Sequence, residues 1–423
     1  MRLTVALLTI SIVYALSANA QELQPPVIPF AEPQYFYNQF SLKPHILLRG
    51  ETWDQTDLKT KRSSVLTFLR MKLLYEITPD INVIFTPQYV KIFGSGFNIS
   101  QTGPTFDIAY GLYETYGSYK FEHWTFTLGR MKLVYGDELV FGSEPWDPLD
   151  RLYDGAKFQY ENDKLKADVF TLRQTPKKDS INYVNSTGLN SHSEKNMYGV
   201  YLNYYVDEWL QEADAYFLYH TQIAPNSLRS EMNISGLRVK SPFKNFDYRG
   251  EVTKQINSVF TDLDTAIQFN GELGYTFRPN EKLRLSLEGF LSGRNYIPVF
   301  SNIHEAYGLS DVLGFRNLLG YGTHLSANIN EKLSVKFDYF FFTRTTADAS
   351  AYRADGVEIL GTLSSSASLN LGSEADLKMQ YQLNEVLFAN LSGGVFFAGP
   401  YFTDQFNGFN RAYFGHLGIE GKF

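Results

Sequence analysis

From Tyr35 to its last residue this chain alternates apolar and polar side chains with a period of two, and no other feature narrows its possible folds as much. Ile267, Phe269, Gly271, Leu273, Tyr275 and Phe277 alternate with Gln268, Asn270, Glu272, Gly274, Thr276 and Arg278. Leu333, Val335, Phe337, Tyr339 and Phe341 alternate in the same way with Ser334, Lys336, Asp338, Phe340 and Phe342. Successive side chains of a strand point to opposite faces, so each such segment reads as a strand with one greasy and one wet face.

The connections between these segments alternate in length. Short ones fall at Pro79-Asp80, Phe121-Glu122, Asn162-Asp163, Asp207-Glu208, Lys244-Asn245, Pro279-Asn280, Asn330-Glu331 and Asn384-Glu385. Mostly longer ones lie between them, at 52–61, 97–105, 137–152, 175–195, 223–227, 257–263, 297–314, 346–367 and 398–410. Eight short turns and nine loops separate eighteen strands. The expected fold is therefore all-β: a transmembrane up-and-down antiparallel β-barrel of about 18 strands, with short turns and both termini on the periplasmic side. A soluble propeller would need a repeat of about 40 to 50 residues, which is not found. The strands, at roughly twice the ~5–6 residues of ordinary sheets, also argue against a sandwich.

Composition agrees with a barrel. Aromatic residues make up 16% of the chain, with 29 Tyr and 34 Phe, yet no stretch reaches the roughly 20 apolar residues of a spanning helix. The chain has no cysteine, which excludes disulfides, thiolate metal sites and catalytic thiols. Arg2, the apolar run Leu3 to Leu16 and Ala18-Asn19-Ala20 have the layout of a secretory signal peptide, so 1–20 is expected to be removed. That leaves 37 basic against 45 acidic residues, a balance of −8, unlike a nucleic-acid binder. A Pro-rich lead-in is expected over 21–33 and the barrel over 34–423, in the outer membrane of a Gram-negative-type bacterium. The final strand, with Leu417, Ile419 and Phe423 at alternate positions, has the form by which barrel assembly machinery recognises its clients.

One stretch is more specific. Leu128-Gly129-Arg130, Tyr135-Gly136-Asp137-Glu138, Gly142, Trp146, Arg151, Tyr153-Asp154-Gly155-Ala156-Lys157 and Tyr160-Glu161 follow one another between residues 128 and 161. Together they resemble the signature of the alginate export family of outer-membrane barrels. Leu112-Tyr113-Glu114-Thr115-Tyr116 and Gly372-Ser373-Glu374-Ala375-Asp376-Leu377 resemble two further strands of that family. The chain departs from the family pattern at Met131, Leu139, Tyr153 and Lys157, and Leu139 stands where the family often has an arginine. The resemblance implies a passive channel for hydrophilic solutes, with alginate, a polyanion, less favoured by the missing arginine. No periplasmic turn is long enough to plug the barrel, so any gate is expected from the outer loops.

A charge facing lipid at mid-bilayer costs roughly 2–4 kcal/mol, so charges within strands are expected to face the lumen. A strand from Trp124 to Tyr135 would need a bulge at Gly129-Arg130 to turn Arg130 and Lys132 inward. The expected pore-lining and solute-binding residues are Arg70, Lys72, Glu114, Arg130, Lys132, Asp137, Arg151, Asp154, Lys157 and Asp168; for any one of them bracing the wall is the simpler reading, and a solute-selecting role is favoured most for Arg130 and Arg151. Asp137, Glu138, Asp147, Asp150 and Asp154 could offer oxygen ligands to a divalent cation, but lack EF-hand spacing and read more simply as solvated loop acids. No cofactor is expected. No nucleophile and base can be assembled, so the chain reads as a channel rather than an enzyme. The alternatives are a plugged structural or adhesive barrel and, more remotely, a hydrolase at the outer rim. The expected partners are outer-membrane lipid and a small hydrophilic or polysaccharide solute, neutral or anionic, passed by diffusion.

Overall fold

The structure, a computed structural model, describes residues 39–55, 60–95, 108–174, 194–207, 210–223, 229–259, 262–278, 282–302, 304, 306–354, 358–359, 368–404 and 409–423. The segments expected to be signal peptide and lead-in lie outside the described residues. In chain order the strands are β1 (Phe40–Gln55), β2 (Thr60–Thr78), β3 (Ile81–Ser95), β4 (Ile108–Phe121), β5 (Trp124–Met131), β6 (Tyr153–Glu161), β7 (Leu165–Gln174), β8 (Glu194–Asp207), β9 (Leu210–Ile223) and β10 (Arg229–Phe243). They continue with β11 (Phe246–Val259), β12 (Asp262–Arg278), β13 (Leu283–Ser292), β14 (Leu318–Asn328), β15 (Leu333–Thr343), β16 (Ala351–Tyr352), β17 (Glu358–Ile359), β18 (Asn370–Gln382), β19 (Leu387–Ala398) and β20 (Arg411–Lys422). The short β16 and β17 pair with each other in an outer loop, and the other eighteen form one sheet of sequential neighbours. β1 pairs antiparallel with β20, from His45 opposite Lys422 to Asp54 opposite Tyr413, so the sheet closes on itself. Closure leaves no edge with unpaired backbone groups, as a lipid environment requires.

Local chemistry sets the short turns. Asn162, Asn330 and Asn384 each accept backbone N–H groups two and three residues ahead at 2.8–3.0 Å, so one asparagine folds the chain back at three separate turns. Lys244, at φ 58°, opens the two-residue turn between β10 and β11.

Alternation then sorts the faces. Leu237, Leu287 and Leu417 stand on the outer face, each at least 60% exposed on the protein alone. Asp214, Arg238, Glu288, Asp338 and Asp376 point inward and are buried. The barrel also contains apolar cores of its own. One gathers Met131, Leu133, Phe141, Phe170, Tyr201 and Phe300; another gathers Phe290, Tyr307, Phe315, Phe340, Phe342 and Phe396. Both combine wall residues with residues from the long connections 132–152 and 293–317, whose described residues fold into the lumen, and the second core also takes in Ala351, Ile359, Tyr401, Phe402 and Phe409 from later connections.

This inward folding corrects the strand expected from Trp124 to Tyr135. β5 ends at Met131, where the chain leaves the wall and enters the lumen. There is no bulge at Gly129-Arg130, because β5 keeps one register with both β4 and β6 through Arg130. The irregularity lies instead in β4, where Phe85 faces Thr115 and Pro87 faces Leu112, leaving Tyr113 and Glu114 opposite the single residue between.

Candidate functional site

The lumen has two unlike halves. On the long-loop side the two inner loops fill it, and they are bound to each other as well as to the wall. Gly142 N–H donates to the Phe300 carbonyl at 2.8 Å, and Asn302 N–H donates to the Glu138 carbonyl at 2.9 Å. Ser301 Oγ donates to the Leu139 carbonyl at 2.5 Å. A side chain at Gly142 would collide with Asn302, so this close approach needs glycine. Arg151, 4% exposed, spans the junction: Nη1 donates to the Gly142 carbonyl at 3.0 Å and to the Ser301 carbonyl at 3.2 Å, while Nη2 bonds Glu144.

The first inner loop has anchors on several sides. Arg49 donates to the Trp146 carbonyl at 2.8 Å, and its guanidinium lies 3.7 Å from the centroid of the Trp146 ring. Arg70 donates to the Pro148 carbonyl at 2.8 Å. Asp150 receives Lys132 Nζ at 2.6 Å and the Tyr113 hydroxyl at 2.6 Å. Tyr135 O–H bonds Asp168, which Lys157 Nζ also approaches at 3.4 Å. Across the lumen Asp137 takes two bonds from Arg238, at 2.9 and 3.1 Å, and lies 3.6 Å from Arg249. Burial alone would raise the Asp137 carboxyl, but Arg238 and its neighbours hold it below the usual carboxylate range. Asp150 is likewise lowered against its burial, chiefly by Lys132. Glu138 is raised, because burial outweighs the bond it accepts from the Ser143 backbone.

The second inner loop is fixed to the opposite wall. Ser310 donates to Glu374 from its backbone N–H at 2.7 Å and from its hydroxyl at 2.5 Å. Leu309 N–H donates to Asp376 at 3.2 Å. Gln255 exchanges two bonds with the Ile297 backbone, each at 2.9 Å.

On the turn side the lumen is open. One cavity of about 490 Å³, roofed by Pro145 and Trp146, is lined by Arg49, Lys282, Lys336 and Lys378 against one acid, Glu420. A second of about 510 Å³, roofed by Asp137, Leu139 and Ala306, meets the first at Lys336. Its charges are mixed: Lys240, Arg249 and Arg284 face Asp247, Glu272 and Glu288. Arg249 bonds Glu272 at 2.7 Å and Glu288 at 2.8 Å, and Arg284 bonds Glu272 at 2.9 Å.

The structure separates the expected site residues into three groups. Arg70, Lys132, Asp137, Arg151, Lys157 and Asp168 are inside the barrel, but as anchors of the inner loop or braces of the wall beneath it. Lys72 shares the inward parity of Arg70, and Glu114 sits in the β4 irregularity. Arg130 and Asp154 are on the outer face. They share parity with exposed Leu128 and Phe158, and pair with each other at 2.8 and 3.0 Å. The acids expected to be solvated are mostly engaged by neighbouring cations or, for Asp147, by the Leu149 N–H at 2.9 Å. Among the described residues no group of three His, Asp or Glu gathers to hold a metal. Sequence reasoning missed Arg238 and Lys240 altogether. Arg238 follows Met232 and Ile234 on the inner face of β10, and those apolar residues hide its parity.

A closed eighteen-stranded barrel with a greasy exterior and a charged, loop-constricted interior defines an outer-membrane channel. The alginate export family model matches residues 106–408, so the chain belongs to that family. Export is transport, and the chain is a channel rather than an enzyme. No curated protein matches the sequence significantly. Solved barrels from Pseudomonas aeruginosa are similar in fold. OccK5 (OpdH) superposes with a TM-score of 0.60 at 10% identity, covering 92% of this chain and 99% of that one. OpdK with vanillate gives 0.59 at 11% identity, over 90% and 98%. OccK2 (OpdF) in complex with glucuronate gives 0.60 at 10%, again over 90% and 98%.

Proposed function

We propose that this barrel passes small hydrophilic anions by diffusion, with carboxylated sugars of the uronate type as the favoured class. The observation that carries the reading is the 490 Å³ turn-side cavity, whose open wall presents Lys282, Lys336 and Lys378 with Glu420 as the one lining carboxylate, while Glu51 pairs Arg49 and Asp338 pairs Lys336 from the wall at 3.2 and 3.1 Å. Such an imbalance in an enclosed aqueous space attracts anions, and a charged ring at a constriction selects among them. The second cavity, whose charges are balanced, keeps the path wet without adding preference. Two similar barrels were solved with vanillate and glucuronate, both carboxylates, which supports the same chemical class here. The cations that act on the solute are then Lys282, Lys336 and Lys378, rather than Arg130 or Arg151, while Arg49 is engaged by Glu51 and Trp146. The 1–20 segment acts as an export signal, and the terminal Phe423 strand as the recognition element for barrel assembly.

Reconstitution in planar bilayers tests the reading. An anion-over-cation permeability ratio above one, reduced current in the presence of glucuronate, and loss of both in Lys336→Gln/Lys378→Gln are expected. A barrel that carries no current, even after the inner loops are shortened, would sink it. That result would favour the second reading, a plugged structural barrel, which the mutual binding of the two inner loops supports.

A further inference from the structure

Arg130 and Asp154 are the part of the family-like signature that the lumen does not use. Both lie on the outer face, where Arg130 spends Nε and Nη2 on Asp154 and Nη1 on the Leu112 carbonyl at 3.2 Å. A guanidinium has five N–H groups, so two remain for another acceptor. In the β6–β7 register Arg173 stands opposite Asp154 and is exposed on the same face. The three residues together have a net charge of +1. Arg130 and Asp154 line an outward notch of about 480 Å³ together with Leu112, Thr115 and Leu128, and Arg173 stands beside it on the neighbouring strand.

The height of this notch is set by the wall. β5 and β6, with eight and nine residues, are the shortest of the eighteen described barrel strands. Outward on β5 stand only Trp124, Phe126 and Leu128 before Arg130; on β6 Tyr160, Phe158 and Ala156 precede Asp154. By contrast, β12 shows Ile267, Phe269, Leu273 and Phe277 along its length. At about 3.3 Å per residue and a tilt near 40°, the apolar stretch on β5 covers about 10–13 Å, against an apolar band of about 25 Å. A short apolar stretch is met by thinning of the bilayer, by snorkelling of flanking residues or by oligomerisation, and thinning would bring headgroups down to the charges.

We propose that this notch binds the phosphate of an anionic lipid of the outer leaflet. Arg130 and Arg173 are its cations, and Asp154 aligns the Arg130 fork. Arginine suits the role because its fork matches phosphate oxygens in pairs. The inference does not depend on which solute the lumen passes.

Native mass spectrometry of the full-length barrel in detergent, mixed with bis-phosphorylated lipid A or with the same lipid stripped of phosphate, tests this. The wild type is expected to retain the phosphorylated lipid and to lose the stripped one. Retention should drop several-fold in Arg173→Gln, which leaves the Arg130–Asp154 pair intact and so guards against misfolding. It should drop further in Arg130→Gln/Asp154→Asn, with folding followed by heat-modifiable gel migration. Lys254→Gln, altering a cation on the distant strand β11, should change little. Equal retention of the stripped lipid, or unchanged retention in the notch variants, overturns the proposal. So does a notch variant that turns an oligomer into a monomer without losing lipid, since a second copy would then be the occupant.

Discussion

The two halves of the lumen are built from the same alternating strands but treat their inward side chains in opposite ways. On the long-loop side nearly every inward polar group is used to hold protein: Arg151 binds carbonyls of both inner loops, Arg70 holds Pro148, and Glu374 and Asp376 hold Leu309 and Ser310. On the turn side the inward groups of β14, β15, β18 and β19 border open space. The difference follows from connection length. Two-residue turns cannot reach into a barrel, whereas connections of twenty residues can, and they bring aromatic side chains to bury there. Selection by charge therefore belongs to the turn side, and control of the aperture belongs to the loop side.

The sharpest way to break this division is Arg151→Ala. Removing a buried, multiply bonded charge typically costs about 3–5 kcal/mol. Here the cost should fall on the junction of the two inner loops, so single-channel conductance should rise several-fold while the ion preference persists. Unchanged conductance would mean that the loops are held without this junction.

Charge removal on the turn side should do the reverse. A unit charge at 4 Å in water is worth about 1 kcal/mol, or about fivefold. Lys336→Gln and Lys378→Gln should each lower the anion permeability ratio by up to about that factor, with conductance nearly constant. Reversal potentials in a salt gradient measure this directly.

Acid should loosen the loop side more gently. Asp137 and Asp150 have carboxyls lowered by their cationic partners. Their tethering is thus fully present above the ordinary aspartate value of about 3.9 and is lost as the pH falls through the lowered values. Conductance should be flat from neutrality to about pH 4 and rise below it, while Asp137→Asn should conduct more at neutral pH and respond less to acid. Glu138 has the opposite sign: it is raised, favours the folded loop when protonated, and opposes part of the effect.

The smallest effect is expected from Arg130→Ala. Outside the lumen, it should leave conductance and ion preference unchanged, and a clear shift in either would return Arg130 to the pore.

Much of the fold was legible because a period of two is a direct record of which side chains share a face. The strand count agrees with the structure, as do most turn positions among the described residues; the β4–β5 turn, at Glu122 and His123, is displaced by one residue from the expected Phe121-Glu122, Asp207 is the last residue of β8, and Glu208 and the expected Pro279-Asn280 turn lie outside the described residues. The site was less legible, and Arg130 shows why. Trp124, Phe126 and Leu128 share one parity and Met131, Leu133 and Tyr135 the other, so a single two-faced strand from Trp124 to Tyr135 requires a bulge, and that bulge would send Arg130 inward. In the structure Met131 and Leu133 are buried against Phe141 and its neighbours inside the barrel. No bulge is required, and Arg130 keeps the outward parity of Leu128. The resemblance motifs also acquire a physical meaning. Gly142, Trp146 and Arg151 assemble the inner loop, Tyr113 in the second motif binds Asp150, and Glu374 and Asp376 in the third hold the other loop.

The sequence by itself determined a closed, two-faced barrel, because alternation and turn chemistry act between near neighbours and are written locally. Only the tertiary structure decided which apolar residues meet lipid and which meet the inner loops, and so which charges remain for a solute. Hydrophobicity records that a side chain avoids water; it does not record what takes the place of the water.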